Sequence, residues 1–314
     1  MRALLSPASL KGVLGADAAA ASLARGMRGA GVDAVELPVA DGGEGTALVL
    51  HAALGGEWRS ARVSDPLGRP VDARWLLARD GLAVVEAAAA IGLPLLAPEE
   101  RDPLRASSRG LGELVLAALD GGATSLVVAL GGSATVDGGA GLLSVVDRLS
   151  VKTTALCDVR TRLADAARLF GPQKGASARD VAVLEERLAA MDELRPYAER
   201  PGSGAAGGLG AALASLGAEL VEGAATVLDL VGFDEHAAGC DLVVTGEGTV
   251  DETTREGKAP GEVARRAGVA GIRCVVFGGL VRADVPGAET VALSGDPARA
   301  EADLLELGRR LGSA

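Results

Sequence analysis

The residues with the most chemical potential lie in four glycine-rich segments, each following a run of apolar residues. The first reads Ala40-Asp41-Gly42-Gly43-Glu44-Gly45-Thr46 and the second Gly131-Gly132-Ser133-Ala134-Thr135-Val136-Asp137-Gly138-Gly139. The third, Gly171-Pro172-Gln173-Lys174-Gly175, comes soon after Cys157-Asp158-Val159. The fourth, Thr245-Gly246-Glu247-Gly248-Thr249-Val250-Asp251, is trailed by Gly257-Lys258. Glycines admit unusual backbone angles and let N–H groups approach an anion, and a helix that follows presents its positive end. A carboxylate beside such a cradle suggests a Mg2+ ligand or a base, because Mg2+ takes one or two carboxylates and leaves the rest to phosphate and water. A lysine there offers a mobile point charge to a phosphoryl group in transfer. Neither GxxxxGK[ST] nor a GxGxxG fingerprint in its proper setting occurs. Any one of these segments taken singly is more often just a tight turn. Together, each carrying a carboxylate or a lysine, they predict a phosphate-handling α/β enzyme, since ligands gather at the carboxyl ends of strands in such sheets.

The elements that must position these loops alternate along the chain. Strands are expected at Arg2–Ser6, Ala34–Val39, Leu82–Glu86, Ser125–Leu130, Thr153–Asp158, Asp241–Thr245, Arg273–Phe277 and Thr290–Leu293, with helical patterns between them. That order is the βα grammar of a parallel sheet covered on both faces. A helix is expected over Ala178–Leu194, capped by Ser177, with Val181, Leu184, Leu188 and Met191 as its stripe. Leu304, Leu307 and Leu311 form another stripe. Trp58–Asp65 and Val71–Leu77, around Pro66-Leu67-Gly68-Arg69-Pro70, read as a hairpin at the entrance to an inserted domain. The expected division is an outer domain of residues 1–60 plus 237–314 and an inserted domain of 61–236.

Composition narrows the function classes. A chain of 314 residues exceeds one typical core and suits two domains. It is 48% hydrophobic but only 2% aromatic, so Ala, Val and Leu must fill the core. The net charge of −11 argues against nucleic acid and anionic membranes as partners. No run reaches the roughly eighteen apolar residues of a membrane helix, and the opening residues read as a strand rather than a leader. The three cysteines, Cys157, Cys240 and Cys274, are scattered, which fits a reducing cytoplasm and gives no metal-site spacing. Of the two histidines, His51 falls mid-helix and His236 in a polar turn, so proton transfer is expected of Asp, Glu or Lys.

The glycine-rich strings resemble those of the class I glycerate kinases. The likeness extends to Gly204-Ala205-Ala206-Gly207-Gly208, Pro66-Leu67-Gly68, Ser108-Arg109-Gly110 and Gly112-Glu113-Leu114, and runs in the family's order from about Ser9 to Gly279. The resemblance implies two α/β domains, one a discontinuous Rossmann-like parallel-sheet domain and the other inserted into it, with the active site in the cleft between them. It also implies ATP with Mg2+, a D-glycerate substrate and 2-phosphoglycerate as product. Four positions depart from the family's pattern. Ala8 stands for an aspartate, Val136 for an asparagine, Thr161 opens a segment lacking the family's small glycine loop, and Thr249 stands for an arginine.

On chemistry and motif position together, Asp158 is the expected base or orienter of the glycerate hydroxyl, with Lys11 and Lys174 stabilising phosphoryl group and carboxylate. Gly131, Gly132, Ser133, Gly246, Glu247 and Lys258 are the expected nucleotide-binding residues. Ser9, Arg109 and Asp137 are expected to bind substrate, with Arg105 a weaker candidate, and Asp41, Glu44 and Asp251 to ligate Mg2+. Two alternatives stand beside this reading: a kinase for another small hydroxy acid, or a non-catalytic sensor that binds nucleotide or sugar acid. The retained lysines and carboxylates speak against the sensor, and Ala8 and Thr249 speak for it. Oligomeric state is open, a homodimer being the candidate.

Overall fold

Runs such as Ala3-Leu4-Leu5 and Leu242-Val243-Val244 lack any polar alternation, the pattern of strands covered on both faces, and none of these residues is more than 1% exposed. The computed structural model, which describes residues 1–255 and 257–313, places them at the centre of a five-stranded sheet. Its strands are β1 (Arg2–Leu5), β2 (Asp33–Glu36), β9 (Leu242–Val250), β10 (Arg273–Val281) and β11 (Glu289–Ala292), in the order β11-β10-β9-β1-β2. All neighbours run parallel. The helices Ala16–Gly29 and Ala300–Gly312 pack together on it, and the stripe Leu304, Leu307 and Leu311 is buried there. Two glycines let these helices approach: a Cβ would lie 2.2 Å from the Leu305 carbonyl oxygen at Gly26 and 2.4 Å from that of Leu23 at Gly308.

The second sheet holds β3 (Glu57–Ser64), β4 (Pro70–Leu77), β5 (Leu82–Glu86), β6 (Ser125–Ala129), β7 (Lys152–Cys157) and β8 (Glu219–Glu222), in that order across the sheet. The expected hairpin is present, since β3 pairs antiparallel with β4. Its turn is tied by Asp65, whose Oδ1 accepts the N–H groups of Leu67 and Arg69, each at 2.8 Å. From β5 to β8 the pairing is parallel.

By contacts the chain divides into two compact units, the first being Met1–Asp41, Leu48–Ala53 and Ala224–Ala314, the second Gly42–Ala47 and Leu54–Gly223. Beside the expected 1–60 plus 237–314 and 61–236, the first unit also takes in 224–236 and the second also takes in 42–47 and 54–60.

Two expectations are corrected. The fourth glycine segment is no loop: β9 continues through it to Val250, paired with β10 out to Val281. Its glycine serves close approach, because a Cβ on Gly246 would sit 2.2 Å from the Phe277 carbonyl oxygen. The helix opened by Ser177 ends at Ala189, short of Leu194, and a 3-10 turn, Asp192–Tyr197, follows. The cap itself is present: the Ser177 hydroxyl accepts the Asp180 N–H at 3.3 Å and the Asp180 carboxylate accepts the Ser177 N–H at 2.9 Å.

Candidate active site

In the second unit the carboxyl ends of β5, β6 and β7 are level, with Glu86 paired to Ala129 and Ala129 to Leu156. The chain beyond those ends brings Gly131 and Asp158 together, as a parallel sheet must. A Cβ on Gly131 would lie 3.6 Å from Asp158 Oδ2 and 2.6 Å from the Cα of Gly43. The first glycine loop therefore rests on this edge with no room for a side chain at Gly131. Gly42, at a φ of 91°, is wedged the same way, a Cβ there falling 2.7 Å from the Cβ of Leu156. The Gly131 N–H donates to the Gly42 carbonyl at 3.3 Å.

Lys174 joins this edge from the third glycine segment, and its setting differs from the mobile charge expected. It is 4% exposed. Its ammonium donates to Ser133 Oγ at 3.1 Å and to the Thr135 carbonyl at 2.8 Å, and it stands 5.9 Å from the Phe170 ring centre. Burial pushes the ammonium down to about 7, while the negative charges of Asp137 and Asp158 pull the other way. A buried lysine within electrostatic reach of two carboxylates, lowered to near neutral pH, is the kind of perturbed group that marks functional sites.

Asp137, expected as a substrate contact, is engaged in the serine loop. Its Oδ2 accepts from the N–H and hydroxyl of Ser108, each at 2.8 Å, and from the Gly141 N–H at 3.1 Å. Its Oδ1 takes the Gly139 N–H at 3.1 Å. These bonds order the serine loop, so the carboxylate is absorbed by the fold. Val136 is fully buried in a cluster with Leu163, Leu184 and Leu188, where an apolar side chain suits its place. Arg109 is exposed at a helix start and paired with Glu113 at 2.8 Å; Arg105 is exposed.

Sequence reasoning passed over Glu86, the last residue of β5. It is half-buried, its Oε1 accepts the Ala47 N–H at 2.7 Å, and it also accepts the Gly45 N–H. Burial raises its pKa above the usual carboxylate range, the Ala47 bond opposes, and the charge of Glu44 adds to the rise. Its place at a strand end is the signal that singled out Asp158 and could have found it.

The first unit carries its own cluster along the far half of β9. Glu247 accepts from Thr254 Oγ1 at 2.7 Å and from the Lys258 ammonium at 3.4 Å. Burial raises its pKa, those two bonds oppose, and Asp41 adds a like charge. Asp251 stands 3.9 Å from Lys258, and Thr253 holds its carboxyl below the usual range with a hydroxyl bond of 2.5 Å. Gly248 lies against the Leu10–Lys11 backbone, a Cβ there being 3.7 Å from the Lys11 nitrogen. Lys11 is exposed and Ser9 half-buried, while the Ala8 N–H donates to the Gly246 carbonyl at 2.9 Å. Of the expected metal ligands, Asp41 neighbours Glu247, Glu44 neighbours Glu86, and Asp251 neighbours Lys258. Among the described residues no three His, Cys, Asp or Glu side chains are gathered as a metal centre, and no helix is long and apolar enough to cross a membrane.

Similarity to known proteins agrees with this chemistry. The chain matches the Glycerate kinase family over residues 3–147 and 144–295. It is 40% identical to a glycerate 2-kinase of Escherichia coli (strain K12), covering 85% of this chain and 82% of that protein. It is 38% identical to a glycerate kinase of Bacillus subtilis (strain 168), with the same coverage of 85% and 82%. A crystal structure from Salmonella typhimurium LT2, assigned as glycerate kinase 2, superposes with a TM-score of 0.86 at 32% identity, over 100% of this chain and 97% of that one. With matched motifs spanning most of its length and a buried lysine set among carboxylates at a strand edge, the chain belongs to the glycerate kinase family and is a kinase.

Proposed function

We propose that this kinase transfers the terminal phosphoryl group of ATP to the 2-hydroxyl of D-glycerate in the cytoplasm, giving 2-phosphoglycerate. The observation that carries the reading is the edge of the second sheet, where Lys174 is buried within electrostatic reach of Asp158 and Asp158 adjoins Gly131. Phosphoryl transfer asks a protein for an oriented hydroxyl and for stabilised charge, with little covalent help. Asp158 accepts the hydroxyl proton as the oxygen attacks phosphorus. Lys174, already held by Ser133 and Thr135, meets the charge that develops without having to reorganise. Gly132 and Ser133 offer backbone N–H groups to phosphate, that of Gly131 being taken by the Gly42 carbonyl, and Lys11 supplies a second, exposed cation. Ser9 and Arg109 are contacts to the substrate's polar end, and Asp137 serves them by shaping the loop it holds.

Gly246, Glu247 and Lys258 receive the nucleotide. Mg2+ bound with ATP would supply positive charge to its phosphates. It needs only one or two protein carboxylates for that, and Asp41 with Glu247 fits, being a like-charge pair that a cation would relieve. Glu44 and Asp251 would complete its surroundings.

The test is a coupled ADP-release assay over three- to six-carbon hydroxy acids, with and without Mg2+. Enolase alone as the coupling enzyme separates 2-phosphoglycerate from the 3-isomer. Turnover of D-glycerate that needs both ATP and Mg2+ and feeds enolase directly supports the reading. A preference for another acid would reassign the substrate, and no turnover of any acid would overturn kinase activity on this class.

A further inference from the structure

Among the described residues several contacts hold the loop Gly42-Gly43-Glu44-Gly45 on the edge of the second sheet, one being the Gly131 N–H donating to the Gly42 carbonyl at 3.3 Å. Two are steric: Gly42 against Leu156, and Gly43 against Gly131. One is local, the buried Thr46 hydroxyl donating to the Gly43 carbonyl at 2.7 Å. Of these contacts, one uses a charged side chain from elsewhere in the chain. Glu86 reaches from the end of β5 to take the N–H groups of Gly45 and Ala47, the latter at 2.7 Å. Those amides open the helix Thr46–Leu54, where N–H groups lack partners within the helix and a carboxylate is favoured. Burying a carboxylate is costly unless it is hydrogen-bonded, and Glu86 is half-buried beside a second acid, Glu44. The spacing Gly-Gly-Glu-Gly, with φ of 91° at Gly42 and 92° at Gly45, has little intrinsic preference for any one shape. An external anchor is what gives it one.

We infer that Glu86 is a positioning residue for the phosphoryl-transfer reaction: it latches the first glycine loop so that Gly43 stands against Gly131, beside Asp158. It touches neither substrate nor reacting atoms and acts through the loop. The inference rests on the proposed kinase reading for its effect on rate, but not for its effect on the loop. A misplacement of about an ångström at a site can cost about a hundredfold in rate, so Glu86→Ala is expected to lower kcat for D-glycerate by about that factor while KM for ATP changes little. Glu86→Gln keeps a carbonyl oxygen where Oε1 lies and is expected to recover most of the rate.

Hydrogen exchange supplies the readout that a general loss of stability would not give. In Glu86→Ala the amides of Gly45 and Ala47 should exchange faster, with β6 and β7 protected as in the wild type. Unchanged exchange at those two amides would overturn the latch. Full activity despite faster exchange would overturn its catalytic purpose, as would a Gln variant no better than Ala. If the wild type turns over no hydroxy acid, the kinase reading fails and the latch is judged on exchange alone. If Glu86→Ala does not fold, Glu86→Leu, which fills the same space without an acceptor oxygen, carries the same comparison.

Discussion

The two units each bring a lysine to carboxylates at the end of a parallel strand, but they treat that lysine differently. Lys174 in the second unit is 4% exposed and bonded to a hydroxyl and a carbonyl. The Lys258 side chain in the first unit is 27% exposed, with its nearest carboxylate oxygen at 3.4 Å. A buried cation fixed before substrate arrives gives electrostatic help without reorganisation, whereas a half-open one is screened by water and has to be drawn into place. On the proposed reading, the chemical step belongs to the β5–β7 edge and the holding of a charged co-substrate to β9.

The largest expected effect tests the first half of that assignment. Asp158→Asn keeps size and most capping ability, so the protein should fold and bind ATP normally. Loss of a base or hydroxyl-orienting carboxylate should nonetheless lower kcat by about 10^2 to 10^4. Retention of more than a small fraction of the rate moves the chemistry away from this edge.

Lys174→Ala comes next, at about 10^2 to 10^3 in kcat, the usual cost of losing one preorganised charge. Its titration sharpens the point. With the ammonium lowered to about 7, kcat/KM should fall about tenfold per pH unit above about pH 7, because that ratio reports the free enzyme. Stability should move oppositely. Between about 7 and the ordinary 10.5 the unfolded chain holds a proton that the folded chain has released, so this group makes stability rise with pH across that window. A fall in activity that tracked a fall in melting temperature would instead be alkaline unfolding.

The smallest effect belongs to the first unit. Lys258→Ala should raise KM for ATP about tenfold, the worth of one charge-assisted hydrogen bond, and leave kcat within a small factor. Steady-state kinetics with ATP varied at saturating glycerate measures it. A larger loss in kcat than from Lys174→Ala would reverse the assignment of the two units.

Much of this arrangement was legible in the sequence, for physical reasons that differ by element. Unbroken apolar runs mark doubly covered strands, so Leu82–Glu86 is found where expected and the hairpin around Pro66-Leu67-Gly68 announces itself by its turn residues. Strand β8 was not foreseen, because four residues with a glutamate at each end have too little apolar length to stand out. The segment Thr245–Asp251 misled because glycine serves both turns and close strand approach, and only the Phe277 carbonyl beside Gly246 tells them apart. Lys174 and Asp137 stood out by type, but their partners, Ser133 with Thr135 and Ser108, are set by tertiary packing that spacing along the chain does not encode. Glu86 carried the same strand-end signal as Asp158 and lacked only a glycine string of its own.

The discontinuity of the first unit has a consequence for biosynthesis. Strand β1 pairs on one side with β2 and on the other with β9, a partner made more than two hundred residues later. The second unit, apart from the short segment Gly42–Ala47, is one continuous stretch from Leu54 to Gly223. On a ribosome it is complete in sequence while β1 and β2 still wait with the Ala16–Gly29 helix, the apolar face of Leu23 and Met27 uncovered until the Ala300–Gly312 helix emerges. Such long-range closure is slow and leaves apolar surface open to aggregation in the meantime. The Ala16–Gly29 helix therefore keeps its apolar face open until the later helix, which it meets closely at Gly26 and Gly308, has been made.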